Sequence, residues 1–278
     1  MSVVCDLPGV GRNLQDHLAV GVVVAARQPV SLVGAESLGN LLRYLLLRRG
    51  MLTSNVAEAC AFVRTSPELP AADLELLFAP VPFMDHGFTK PSGHGLTIGA
   101  VLLRPESTGT ITLRSADPFA PPVIDPRYLS DADGHDLRVL VAGVRLARRV
   151  FDARAFADYV GAPIEPSDDV RSDVELERFI REQAETLYHP VGTCRMGVDD
   201  MAVVDPELRV RGVEGLRVVD ASVMPVIVRG HTNAATIMIA ERAAELMSAS
   251  RVAAVERRES RSPAPPHRRD AATPVQDP

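Results

Sequence analysis

Two hydrophobic periods divide this chain. Residues Val20–Ala26 are a short apolar run rich in valine and predict a strand. Leu38–Arg49 is apolar with basic residues at intervals and predicts a helix. Ala57–Val63 and Leu74–Ala79 predict short buried strands. Leu96–Leu103 and Thr110–Arg114 predict two more, joined by Arg104–Gly109. Thr110 to Leu113 alternate polar and apolar, so one face of that strand is expected to be wet. Several strands in succession with little helix between them point to an antiparallel sheet. The period then changes. Leu137, Leu140, Val141, Val144, Ala147 and Phe151 recur at helical spacing, behind a Ser130/Asp133 pair that resembles a helix cap. Asp173–Ala184 predicts another helix, and Leu216–Val219 a short buried strand ending at Asp220. Thr232–Met247 predicts a helix so apolar in its first two turns that packing on every side is expected. Val255–Pro278 is rich in Arg, Pro, Ala and Asp and predicts a disordered tail. There is no internal repeat.

Composition narrows the partners. Of 278 residues 46% are hydrophobic and 24% charged, enough for a large core. The formal net charge of −6 argues against nucleic acid as the main partner. The three cysteines, Cys5, Cys60 and Cys194, are odd in number and widely spaced, with no Cys-x-x-Cys, which fits a reducing cytoplasm and no disulfide framework. No apolar run reaches the ~18 residues of a membrane span. Met1–Gly11 lacks the charged and apolar regions of a secretory signal.

Two segments stand out chemically. One is Tyr188-His189-Pro190-Val191-Gly192-Thr193-Cys194-Arg195-Met196-Gly197. The other runs Asp220-Ala221-Ser222-Val223-Met224-Pro225 and on to Arg229-Gly230-His231-Thr232-Asn233. His189 precedes a proline, which biases it away from helix and suits an imidazole presented from a rigid loop. Such a group accepts a hydroxyl proton near neutral pH. His231 sits just before an apolar helix, with Thr232 or Asn233 as candidate caps, and the helix N-terminus favours an anion. A single histidine is more often structural. On that ground His17, His86, His94, His135 and His267 are not singled out. No Gly-x-Ser-x-Gly elbow supports a serine hydrolase, and no metal site is expected, because His189 and Cys194 lack a second ligand pair.

These segments resemble the C-terminal hallmarks of the glucose–methanol–choline oxidoreductase family. Val204-Asp205-Pro206-Glu207-Leu208-Arg209-Val210-Arg211-Gly212 and Thr236-Ile237-Met238-Ile239-Ala240-Glu241 follow in the family's order. Gly9-Val10-Gly11-Arg12-Asn13-Leu14-Gln15-Asp16-His17 and Pro122-Val123-Ile124-Asp125-Pro126-Arg127-Tyr128 are similar to further family stretches. The likeness covers about residues 3–250. It implies an FAD cofactor and oxidation of a small alcohol to an aldehyde by hydride transfer. His189 matches the family's catalytic base and His231 its partner position. Asp220, Ala221, His231, Thr232 and Asn233 match positions that meet the flavin. Glu58 is similar to an acidic residue lining the pocket of choline-acting members. It reads equally as a paired carboxylate at a sheet edge. The run Phe78-Ala79-Pro80-Val81-Pro82-Phe83 lacks the histidine of choline oxidases, which favours uncharged primary alcohols.

The fold class implied is α/β. A substrate domain over residues 31–185 would carry a mostly antiparallel sheet with helices on one face. Residues 1–30 and 186–250 would complete an incomplete Rossmann-like FAD domain, and 251–278 the disordered tail. The strand–Gly-x-Gly-x-x-Gly–helix unit that cradles the ADP part of FAD does not occur here. Two functions therefore stay open. One is the alcohol-oxidising enzyme. The other is a catalytically inactive fragment, or a split-gene subunit that needs a separately encoded FAD-binding half. A small-ligand binding module is a weaker third.

Overall fold

A computed structural model describes residues 3–89 and 91–260. Its main layer is a six-stranded antiparallel sheet. Strands β1 (Leu18–Ala26), β2 (Ala59–Val63), β3 (Leu74–Ala79) and β4 (Gly95–Leu102) form most of it. A two-stranded ribbon follows, β5 (Thr110–Thr112) with β6 (Val123–Asp125). Strands β7 (Val160–Glu165) and β8 (Glu185–Thr186) return to the main sheet, in the order β2-β3-β4-β1-β7, with β8 also on β1. The helices are α1 (Leu38–Leu47), α2 (His135–Phe151), α3 (Asp173–Gln183) and α4 (Thr232–Ser260).

The register explains how the sheet acquires two different faces. Val20, Val22 and Val24 pair with Ala100, Ile98 and Leu96, and Leu76 pairs with Ala100. These residues all point to one side. There they pack with Leu137, Leu140, Val144, Ala147 and Phe151 of α2 and with Leu176 and Ile180 of α3 into the larger core. The expectation of helices on one face of an antiparallel sheet is met. Helix α2 begins differently from its expected cap. Gly134 occupies the cap position, and the Asp131 carboxylate accepts the His135 N–H at 2.5 Å in place of the Ser130/Asp133 pair. Asp136, on the first turn, accepts the N–H groups of Glu106 (2.8 Å) and Ser107 (3.0 Å), tying the helix to the loop after β4. Helix α3 starts with a Ser172/Glu175 capping box.

A second core joins Val191, Val203, Val204, Leu208, Val223, Met224, Ile227, Ile239 and Ala243. Apart from Ile239 and Ala243 of α4, it is built from turns and single bridges. Leu216–Val219 is one of them and not the strand expected. Its groups are shared with the 208–210 turn (Val210 N–H to Leu216 carbonyl 3.0 Å, Val218 N–H to Leu208 carbonyl 3.2 Å), which leaves no continuous partner for a ladder.

Strand β1, within residues 1–30, is hydrogen-bonded to β4 on one side and to β7 and β8 on the other. Two further expectations are revised. Helix α4 is not buried all round. Ile239 and Ala243 face the second core, while Ile237 and Met238 are more than half exposed. It also runs on to Ser260, so the start of the tail is helical, and residues 261–278 with His267 lie outside the described residues. Helix α1 buries none of its leucines. Among the described residues no helix is long and apolar enough to cross a membrane.

The core gives a direct test. Leu140 and Leu176 are fully buried, whereas Leu46 on α1 is 79% exposed. Leu140→Ala and Leu176→Ala should each lower the unfolding free energy by about 2–5 kcal/mol, and Leu46→Ala should change it by less than about 0.5 kcal/mol. Urea unfolding followed by circular dichroism measures all three.

Candidate functional site

The site is organised by the loop that leads into β1. Leu14 bridges Gly109 and Gln15 bridges Val191, so the loop is held on both sides as if it were a strand. Asn13 adopts φ of 60°, a conformation asparagine tolerates, and turns its amide to the Pro225 carbonyl at 3.1 Å. The Gln15 side chain donates to that same carbonyl (3.2 Å) and accepts the Ile227 N–H (3.2 Å). The next residue, Asp16, is buried. Its carboxylate accepts three bonds: from the Tyr128 hydroxyl (2.6 Å), the Thr186 hydroxyl and the His189 backbone N–H (2.8 Å). Burial, and then the Asp16 carboxylate, push the Tyr128 phenol well above its ordinary range.

His17 follows and is 1% exposed. Its Nδ1 lies 2.9 Å from Nδ1 of His189, and its Nε2 lies 3.1 Å from the Val228 carbonyl. The rings of His17 and His189 meet edge to face with centroids 5.1 Å apart. His189 meets His231 in the same way at 5.3 Å. Three imidazoles thus stand in a row, His17 buried, His189 partly buried and His231 exposed. Desolvation, and then His189 beside it, lower the His17 pKa to about 4. Desolvation, and then His231, lower that of His189. His231 Nε2 lies 3.2 Å from the carboxylate of Glu75, a β3 residue that is 1% exposed.

Local backbone geometry makes this possible. Gly192 has φ of 93°, and a Cβ there would sit 2.2 Å from the Asn13 carbonyl oxygen, so only glycine lets the His189 segment lie against the Asn13 loop. Two residues further, the N–H groups of Cys194 and Met196 donate to the carbonyls of Ser222 (2.9 Å) and Val223 (2.8 Å). That pairing brings the Asp220–Pro225 segment beside the His189 segment.

The second face of the main sheet supplies a cavity of about 230 Å³. Small residues make the room: Ala19 and Gly21 on β1, Gly99 on β4 and Ala79 on β3, with Gly21 paired directly to Gly99. Phe83, Leu187 and Tyr188 close the sides. The lining is mostly apolar, and a rim of Asp85, Glu165 and Glu185 adds carboxylates. Burial, and then the neighbouring Glu185 and Asp85, raise the pKa of Glu165. His86 lies 3.0 Å from Glu185 and 2.7 Å from the Tyr188 hydroxyl.

Of the residues singled out from the sequence, His189 and His231 come together. Asp220 caps the turn Ala221–Val223, which α4 packs against, its carboxylate accepting the Ser222 N–H at 2.8 Å. Helix α4 starts at Thr232 itself, so neither Thr232 nor Asn233 is its cap; Thr232 is buried and Asn233 exposed. Glu58 stands apart. It is exposed and bonded to the Ser54 hydroxyl, and the cavity is lined by its neighbours Val56 and Ala57 instead. His94 bonds Ser31 at 2.7 Å, and His135 opens α2. Sequence reasoning missed Asp16, His17 and Glu75. Glu75 had a signal: a lone carboxylate in the apolar run Leu74–Ala79 has to find a partner once buried. His17 had only its place at the end of the family-like Gly9–His17 stretch, because its bonds run to residues 172 and 211 positions away.

The lowered His17 pKa sets the sign of a pH effect. The fold prefers its neutral form, so its stabilising contribution is complete above about 6.5 and is lost as pH falls toward about 4. The loss is on the order of 3 kcal/mol. Asp16 and His189, which lie against it, are present in every variant compared. Urea unfolding of the native protein should weaken between pH 6.5 and 4, and His17→Leu should show a shallower decline over that window. Parallel curves would contradict a buried neutral His17.

Residues 105–240 match the family model for GMC oxidoreductases. The chain is 53% identical over 248 residues to an uncharacterized GMC-type oxidoreductase of Mycobacterium tuberculosis, covering 89% of this chain and 47% of that protein. It is 47% identical over 252 residues to an alcohol dehydrogenase (acceptor) of Pseudomonas putida, covering 89% and 45%. It is 41% identical over 258 residues to an oxygen-dependent choline dehydrogenase of Rhizobium johnstonii, covering 88% and 45%. Among solved structures it superposes on a formate oxidase of Aspergillus oryzae with TM-score 0.81 at 27% identity, covering 90% of this chain and 49% of that one. Pyridoxine 4-oxidase from Mesorbium loti gives 0.75 at 28%, covering 88% and 45%. The chain thus spans about half the length of the relatives it matches. Residues 105–240 carry the C-terminal domain of the GMC oxidoreductase family.

Proposed function

We propose that this chain supplies the substrate cavity and the proton-handling residues of an FAD-dependent oxidoreductase that converts an alcohol to an aldehyde. The observation that carries the reading is the edge-to-face pair His189 and His231, 5.3 Å apart, the first next in sequence to Tyr188 of the cavity lining and the second directly before α4. The alcohol dehydrogenase of Pseudomonas putida supports the reaction class, and the Aspergillus oryzae formate oxidase, studied for modification of its FAD, supports the cofactor.

The residues present fit one end of a flavin. The N-terminus of α4 offers free N–H groups and partial positive charge, with exposed Asn233 and His231 beside it and the Asp220–Ala221 turn alongside. They do not fit the pyrophosphate end, because no Gly-x-Gly-x-x-Gly loop occurs in the sequence. A further polypeptide segment has to supply that cradle. The half-exposed Ile237 and Met238 of α4 favour the companion reading in which this chain works only joined to, or paired with, an FAD-binding half.

Bound FAD would accept the hydride from the alcohol carbon. The chain's own residues handle the rest. His189 takes the hydroxyl proton. Its lowered pKa keeps it neutral and able to accept at physiological pH. His231, restrained through its Nε2 by Glu75, packs its ring against His189 and holds it at the reacting hydroxyl. The apolar cavity holds the carbon chain of an uncharged primary alcohol away from water.

Two measurements test this. The chain alone should purify colourless or bind FAD weakly; a stoichiometric yellow flavoprotein would overturn the division of labour. With an FAD-binding half supplied, His189→Ala should slow anaerobic flavin reduction by a primary alcohol by about 10²–10⁴-fold while FAD stays bound. His231→Asn should be milder. Flavin reduction at the parental rate in His189→Ala would overturn the catalytic assignment.

A further inference from the structure

We infer that His17 is a positioning residue that locks His189 in the tautomer with a protonated Nδ1 and a bare Nε2. The direction of two hydrogen bonds fixes this. A backbone carbonyl only accepts, so at 3.1 Å from the Val228 oxygen His17 Nε2 must carry a hydrogen. A neutral imidazole has one N–H, so His17 Nδ1 is then a lone pair. Across the 2.9 Å contact the donor is therefore His189 Nδ1–H. Neutral His189 is left with its lone pair on Nε2, the ring nitrogen not engaged by His17.

The reverse direction has no stable form. If His17 Nδ1 donated while Nε2 stayed bare, two lone pairs would face each other at the Val228 carbonyl. If both nitrogens carried protons, a cation would be buried at 1% exposure beside a second imidazole. The environment opposes that cation, holding the His17 pKa at about 4. Asp16 adds a second restraint, because its carboxylate accepts the His189 backbone N–H and so fixes the loop from which the ring projects.

The inference rests on the proposed role of His189 as the proton acceptor. In that step the substrate O–H bond breaks and an Nε2–H bond forms. The new imidazolium keeps its Nδ1–H on His17, which accepts the bond but takes no proton, since its own N–H stays on Val228. The same Pro225–His231 segment then governs both working histidines. Its Val228 carbonyl sets His17 and through it His189, while its last residue is His231.

The tautomers can be read without FAD or activity. Nitrogen-15 correlation spectra of imidazoles distinguish protonated from bare ring nitrogens. In the native chain at neutral pH, His17 should be protonated at Nε2 and His189 at Nδ1. His189 protonated at Nε2, or His17 protonated at both nitrogens, would overturn the inference. His17→Leu removes the acceptor, and His189 should then become a mixture of tautomers. His17→Asn places an amide oxygen near the former Nδ1 and should restore the Nδ1–H form. An unchanged His189 signature in a folded His17→Leu protein would also overturn it. If His17→Leu fails to fold, the native spectrum alone decides. In the enzyme completed with an FAD-binding half, His17→Leu should slow flavin reduction roughly 10- to 100-fold, the scale on which partners that orient a working imidazole act, with recovery in His17→Asn. Should His189→Ala leave that reduction untouched, the alcohol-oxidation reading fails, whereas the tautomer spectra stand or fall by themselves.

Discussion

A buried carboxylate followed by a buried imidazole, Asp16 and His17, is the constraint on which the rest of this structure hangs. Taking a carboxylate out of water costs several kcal/mol unless its lone pairs are satisfied. Asp16 satisfies them with groups from two distant stretches: Tyr128 after β6, and Thr186 with the backbone of His189 at and just after β8. Charge-assisted bonds of this kind are the stronger class, and each loses its partner if one segment drifts. The loop therefore fixes two other segments. Gln15 and His17 add the Pro225–Val228 segment through the Pro225 and Val228 carbonyls and the Ile227 N–H. The two hydrophobic cores are joined across this one polar seam, and the candidate site lies in it.

The sheet contributes by being unequal on its two faces. One face carries Val20, Val22, Ile98, Leu96 and Leu76, which need helices α2 and α3 to cover them. The other carries Ala19, Gly21, Gly99 and Ala79, too small to fill the space above them. Cavity and core are thus two consequences of a single alternation along β1 and β4. A one-residue register slip would exchange them, and the mass of apolar side chains under α2 makes that slip prohibitive. The cavity needs no dedicated scaffold, because the stability of the opposite face holds its floor in place.

How much of this the sequence disclosed depends on the range of the interactions. Strands such as Leu74–Ala79 and helix α2 were legible because periodicity is local and their apolar faces are buried where they stand. The Leu216–Val219 segment was not, since its partner is a turn and not a strand. Helix α4 misled in another way. Its apolar first turns imply burial on all sides, yet Ile237 and Met238 are exposed. Pattern reports what a surface requires, and the described residues do not supply all of it. His189 and His231 were found by motif likeness. His17 and Glu75, which hold them, were hidden because nothing near them in the sequence says that His17 will meet His189 or that Glu75 will meet His231.

The row of three histidines shows why environment, more than residue type, assigns the roles. The same imidazole appears buried, partly buried and exposed within two ring contacts. Where burial is complete, the charged form is excluded, and His17 serves as a fixed dipole between His189 and a carbonyl. Where burial is partial, the neutral form is favoured yet protonation stays within reach, which is what a proton acceptor requires. Where the ring is exposed, the buried Glu75 carboxylate restrains a side chain that solvent would otherwise leave free. Exchanging any two of these surroundings would leave all three histidines in place and remove the gradient. The chemistry proposed here depends on that gradient.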